Sequence, residues 1–215
     1  MNKLVLTIIL FTLSLSNAHA TLLSANGTSV NALDLNNDVS SFAEFYDYNG
    51  SLPWRSNTGF EIANEIVVFV ATLNSEYAVF MTVGGSGSLA GSLQLDVTAS
   101  DGNITLYDDP NEVLSGNTIN WQYNAGGGDG FVFSNFTSNI WNVNLDFLTA
   151  ANVFGITFLS FDVDGNDSVA LNTQDITSDL LIISSSSSSF VPVESPASVA
   201  MLGLGLLFIA LRRRV

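Results

Sequence analysis

The chain has 215 residues, a net charge of −15 and no cysteine. Lacking cysteine, it has no disulfide to staple an exported fold and no thiolate for catalysis. With five basic residues in all, it offers no cationic footprint to neutralise nucleic-acid phosphates.

The chain opens with MNKLVLTIILFTLSLSNAHA, in which Lys3 precedes an apolar run from Leu4 to Leu15. Ala18 and Ala20 form a small-x-small site. This is the pattern of a secretory signal peptide cut after Ala20, and the run is short for a membrane span. Residues 21–189 then hold one basic residue, Arg55, against 19 acids, a net of −18. His19 departs with the leader, so this body contains no His, Cys or Lys. The excess of carboxylates suits solubility in a crowded exterior and the binding of cations. Residues 21–183 are enough for one domain around one core.

The first local signal is a helical turn at SFAEF, where Ser41 and Glu44 have capping-box spacing. Asp34, Asn36 and Asp38 precede it at alternate positions. LPWRSN (52–57) reads as a loop carrying Trp54, an exposed ligand candidate or a staple beneath the loop. From there strand patterns dominate. IVVFVATL (66–73) is apolar on both faces and predicts a central strand; YAVFMTV follows after a short Asn-Ser-Glu turn. SLQLDVTA sets Leu93, Leu95 and Val97 against Gln94, Asp96 and Thr98, and Asp101-Gly102 then predicts a hairpin into NITLY. In NWQYN (120–124), Trp121 and Tyr123 share a face, as a core-facing row or as a platform for sugar rings. NAGGGDG (124–130) lacks the lysine and following helix of a phosphate cradle, and reads as a mobile loop. WNVNLDF alternates strictly, and FGITFLSFDV (154–163) reads as a strand buried on both sides. About nine or ten strands are expected, arranged as an all-β, antiparallel β-sandwich of jelly-roll-like kind.

DVDGNDS (162–168) places Asp162, Asp164 and Asn166 at the first, third and fifth positions of a calcium loop, and its opening resembles a dockerin-type loop. Gly165 stands two places early, with Asp167 where the glycine belongs, and Thr173 occupies the position where the loop needs an acid. The competing reading is an Asp-Gly-Asn hairpin turn. Calcium is thus the one cofactor the spacing suggests.

Ser184 to Ser189 are six consecutive serines, so 184–190 reads as a flexible linker. The last segment, VPVESPASVAMLGLGLLFIALRRRV (191–215), contains an apolar stretch at 197–211. As a helix it would be about 22 Å long, short for a hydrocarbon core about 30 Å thick. Arg212, Arg213 and Arg214 would snorkel and hold that end on the cytoplasmic side. The order of short motif, short apolar helix and terminal arginines resembles the PEP-CTERM sorting signal of bacterial exported proteins. Val191-Pro192 and Pro196-Ala197 match its flanks, and LGLGLL followed by LRRR is typical of it. Where that family has Pro-Glu-Pro, this chain has Glu194, Ser195 and Pro196. The resemblance is confined to 191–215. It implies an exosortase-like transpeptidase as partner, a transient membrane anchor, and release to the cell surface or extracellular matrix, in the company of exopolysaccharide and biofilm formation.

Without His, Cys or Lys, only carboxylate pairs remain for acid–base chemistry, and among 19 acids such pairs are unspecific. The expectation is a non-enzymatic surface or matrix protein. The alternatives are a carbohydrate-binding module with calcium dependence and a glycosidase-like enzyme working with two acids.

Overall fold

The computed structural model describes residues 21–186, apart from 37, 49, 54, 109–112, 116, 117 and 178. The leader with Ala18 and Ala20, Trp54, and the segment holding Val191, Pro192, Glu194, Ser195, Pro196, Arg212, Arg213 and Arg214 lie outside the described residues. Among the described residues no helix is long and apolar enough to cross a membrane.

The elements in chain order are β1 (Thr21–Ala25), β2 (Thr28–Val30), β3 (Leu33–Asp34), α1 (Phe42–Tyr46), β4 (Ile66–Leu73), β5 (Glu76–Gly84), β6 (Gly91–Ala99) and β7 (Asn103–Tyr107). They continue with β8 (Val113–Ser115), β9 (Thr118–Tyr123), β10 (Gly128–Ser134), β11 (Trp141–Ala151), β12 (Ile156–Phe161), β13 (Asp167–Thr173) and β14 (Leu180–Ser186). They form two sheets. Sheet A runs β2-β1-β14-β11-β6-β9-β8; sheet B runs β13-β12-β4-β5-β10-β7, with β3 also beside β4. The molecule is an all-β sandwich, as the patterning predicts.

Layering explains the two kinds of strand. Sheet A buries one face. Val143, Leu145 and Phe147 point into the core while Asn142 is exposed, and β6 does the same with Leu93, Leu95 and Val97. Sheet B is covered twice. Val68, Val70, Val79 and Met81 face sheet A, whereas Val67, Phe69, Ala78 and Phe80 lie under α1 and the chain around it. A strand buried on both sides reads as an unbroken apolar run. The outer cluster is aromatic: Phe69 stacks on Phe80 at 5.0 Å, Phe45 meets Phe80 edge-on at 5.5 Å, and Phe60 meets Phe161 at 5.2 Å. The helix lies where SFAEF predicts. Ser41 is its N-cap and accepts the Glu44 N–H at 3.1 Å, while Glu44 accepts from the Ser40 N–H at 2.7 Å. The Ser40 hydroxyl first, and then that bond, hold the Glu44 carboxyl below its ordinary value.

Several expectations change. The sandwich is not wholly antiparallel, because β12 and β3 both pair β4 in parallel. β12 enters sheet B at the same end as β4, after the crossing from β11, so the two run together. Asp101-Gly102 closes no hairpin. β6 belongs to sheet A and β7 to sheet B, and the turn between them is an arch from one sheet to the other. Asp101 clamps this arch to the neighbouring β10–β11 connection by accepting N–H bonds from Thr137 at 2.7 Å and Ser138 at 2.9 Å. The serine run begins inside β14, so the boundary at 183 moves. Ser184 is buried, its hydroxyl donates to the Asn139 carbonyl at 2.7 Å, and Ser184 pairs both Leu23 and Trp141. Fourteen strands are present among the described residues rather than nine or ten, the additions being chiefly strands of two to five residues.

Candidate functional site

The strand directions give the sandwich two distinct poles. At one, Thr21 pairs Ser186, beside the β4–β5 turn and the β10–β11 connection. At the other, the β5–β6, β9–β10 and β11–β12 connections meet and are laced by backbone bonds. Gly126 N–H donates to the Ser88 carbonyl at 2.9 Å, Gly85 N–H to Gly127 at 3.0 Å, and Phe154 N–H to Asn64 at 2.7 Å.

This second pole holds a cleft of about 460 Å³. One wall comes from the segment after α1, with Tyr48, Leu52, Pro53 and Arg55; the other is residues 122–129. The glycine-rich stretch is therefore part of the site, and it is not a free loop. Gly128–Gly130 open β10 and are buried. A Cβ on Gly84 would lie 2.7 Å from the Gly127 carbonyl, and one on Gly128 would lie 2.6 Å from that of Val83. Only glycine lets these backbones approach so closely. Arg55 ties the second wall to the first: the residue is 5 % exposed and its guanidinium donates to the Gly126 carbonyl at 3.2 Å.

The cleft mixes apolar rings with polar heads. Gln122 and Asn124 are exposed, Tyr48 is half-buried, and Tyr123 and Asp129 are buried. Burial, and then the Asp129 charge, pushes the Tyr123 hydroxyl up to about 12. Asp129 thus sits close enough to act on the ring, and Tyr123 remains a neutral phenol throughout the physiological range. Deeper in, Tyr46 is fully buried. Its hydroxyl is raised well above the ordinary value by burial first and by Asp108 second, with smaller contributions from Asp129 and Glu61.

The candidate residues of the sequence fall in different places. Trp54 is outside the described residues, while its neighbours Pro53 and Arg55 line the cleft. Trp121 is core, and Tyr123 is both core and cleft lining. Asp162, Asp164 and Asn166 form the hairpin turn between β12 and β13. The Asp162 carboxylate accepts from the N–H groups of Asp164 and Asn166, each at 2.9 Å, and from the Asn166 side-chain amide at 3.0 Å. The Asn166 contacts, more than any other, hold the Asp162 carboxyl below its ordinary value. Asp34 plays the same part for Asn36, accepting its N–H at 3.0 Å. Among the described residues no three carboxylate, histidine or cysteine side chains are grouped to hold a metal ion. Tyr48 and Asp129 escape sequence reasoning. Each is one more polar aromatic or acid in a chain full of them, and only the run of glycines marks the place.

No family model, curated protein or solved structure matches the chain.

Proposed function

We propose that the chain is a non-enzymatic exported protein of the cell surface or extracellular matrix, its β-sandwich carried on a removable membrane tail. The observation that carries this reading is the polarity of the sandwich. The domain begins at Thr21 and reaches Ser186 at one pole, and its cleft opens at the other. Cleavage after Ala20 would leave Thr21, the first residue of β1, as the new N-terminus. A span at 197–211 with Arg212, Arg213 and Arg214 in the cytoplasm would then present the cleft away from the bilayer. The slack needed for processing at Val191-Pro192 or at Glu194-Ser195-Pro196 would come from the serines beyond β14. An exosortase-like enzyme is the processing partner in this reading. The jelly-roll-like class belongs to the same reading. It is supported by the chain crossing between sheets at β2–β3, β5–β6, β6–β7, β7–β8, β9–β10, β10–β11, β11–β12 and β13–β14.

Mass spectrometry of the protein's C-terminus in its native cells tests the proposal. The expected termini lie upstream of residue 197; a mature pool ending at Val215 would overturn it.

The cleft favours a second, compatible reading, in which the sandwich is a carbohydrate-binding module acting on exopolysaccharide. Its walls combine tyrosines with amide and charged side chains, the mixture that fixes a polar ligand with apolar faces. Calcium dependence through Asp162, Asp164 and Asn166 is part of this reading. A thermal shift on adding calcium, lost in Asp164→Ala, is the expected sign.

A further inference from the structure

We infer that the cleft between Arg55 and the β9–β10 connection takes a short, uncharged oligosaccharide. This rests on the carbohydrate-binding reading and adds the location and charge class of the ligand.

The first argument is electrostatic. Residues 21–189 carry a net −18, and the only cationic side chain among them, Arg55, lines this cleft. Asp129 lines it too, so the lining itself pairs one guanidinium with one carboxylate, while Asp108 and Glu61 lie deeper, around Tyr46. An anionic chain would approach against that body's field. Once arrived, it would find Arg55 a largely buried residue with its guanidinium already donating to Gly126. A cationic chain would be drawn instead to the open carboxylates elsewhere. On the outer face of sheet A, Asp96 and Asp146 are cross-strand partners, and Asp179 is close enough to act on Asp146. A cleft whose lining offers an exposed amide pair, and whose one cation is already bonded, is the place where a ligand without charge loses least.

The second argument is chemical. A sugar ring has an apolar face and a rim of hydroxyls. The half-buried Tyr48 offers a ring, and the exposed Gln122 and Asn124 offer both donors and acceptors. The cavity lies within the range of about 300–1,000 Å³ usual for small-ligand sites. The third argument is rigidity. The glycine wall is tied by Gly126 to Ser88, by Gly85 to Gly127 and by Arg55 to Gly126, so little order has to be imposed on binding.

The test uses the full chain in mild detergent, titrated calorimetrically with four trimers. Cellotriose and triacetylchitotriose are neutral, trigalacturonate is anionic and chitotriose is cationic. Saturable binding of at least one neutral trimer is expected, weakened about tenfold by Tyr48→Ala and by Gln122→Ala. Gln122 is exposed, whereas Tyr48 is half-buried against the aromatic cover of sheet B, so Gln122→Ala, with an unchanged melting temperature, separates lost binding from lost folding. Binding of a charged trimer alone, lost in the same variants, would overturn the charge assignment and leave carbohydrate binding standing. Binding of a neutral trimer untouched by either substitution would overturn the location. No binding of any trimer would overturn both this inference and the reading beneath it.

Discussion

Carboxylates in this chain act in opposite senses, and the difference is readable as a pH dependence. At Asp101, desolvation alone would raise the carboxyl, but the N–H groups of Ser138, Gly102 and Thr137 and the Thr137 hydroxyl outweigh it and hold it low. Its stabilisation is present above the unfolded carboxylate value and is lost as pH falls through the lower folded one. Asp146 is the reverse. Partial desolvation first, then Asp179 and Asp96, hold it above its ordinary value. Its favourable contribution exists below the unfolded value and disappears as pH rises through the folded one, so at neutral pH it opposes folding. Asp146→Asn should therefore raise the melting temperature at neutral pH and leave it unchanged below the carboxylate range. Asp101→Ala should lower the melting temperature at neutral pH, with the difference closing in acid. Thermal scans of both variants across pH check the two signs together. Gly130 is a steric counterpart: a Cβ there would lie 2.3 Å from the Met81 carbonyl and from the Tyr46 hydroxyl. Gly130→Ala should lower the melting point and disturb the cleft, because Asp129 adjoins it.

Individual elements owe their stability to the number of faces they bury. Phe69 on β4 is fully buried and touches Phe45, Phe60, Phe80 and Phe161. Phe69→Ala should cost about 3–5 kcal/mol in denaturant unfolding. Leu148 on β11 is 40 % exposed, and Leu148→Ala should stay within about 0.5 kcal/mol. α1 is too short to stand alone, so its cap and its aromatic contacts hold it. Ser41→Ala should cost about 1 kcal/mol and loosen the cover over sheet B. Elements were legible to the degree that periodicity speaks for burial. β6 and β11 alternate because one face meets water, and β4 is almost wholly apolar because neither of its faces does; β12, also buried, carries Thr157 paired to Glu65. Asp101-Gly102 misleads for a related reason. The pair favours a tight reversal, but nothing local says whether the returning strand joins the same sheet or the facing one. In the fold the reversal is fixed by Thr137 and Ser138, more than thirty residues away, which bond to Asp101.

For the molecule as a whole, the decisive feature is that both domain ends leave at one pole. A chain ending after Ile183 would lose the pairs that Ser184, Ser185 and Ser186 make with β1. It should melt lower than a chain ending after Ser186, which keeps them; circular dichroism of the two makes the comparison. The all-β character, the one-sided and two-sided strands and the capped helical turn were determined by the sequence alone, because each follows from local periodicity, capping chemistry and turn residues. The expected leader and sorting tail rest on the sequence too, since such signals are read as linear segments. Only the tertiary structure decided that the serines start within a strand, that the glycine run is a fixed wall and that Tyr48, Arg55 and Asp129 share a cleft. Those residues are distant in the chain or unremarkable in type. Their meeting depends on strand order and sheet crossing, which are set by the packing of the whole core and leave no local trace.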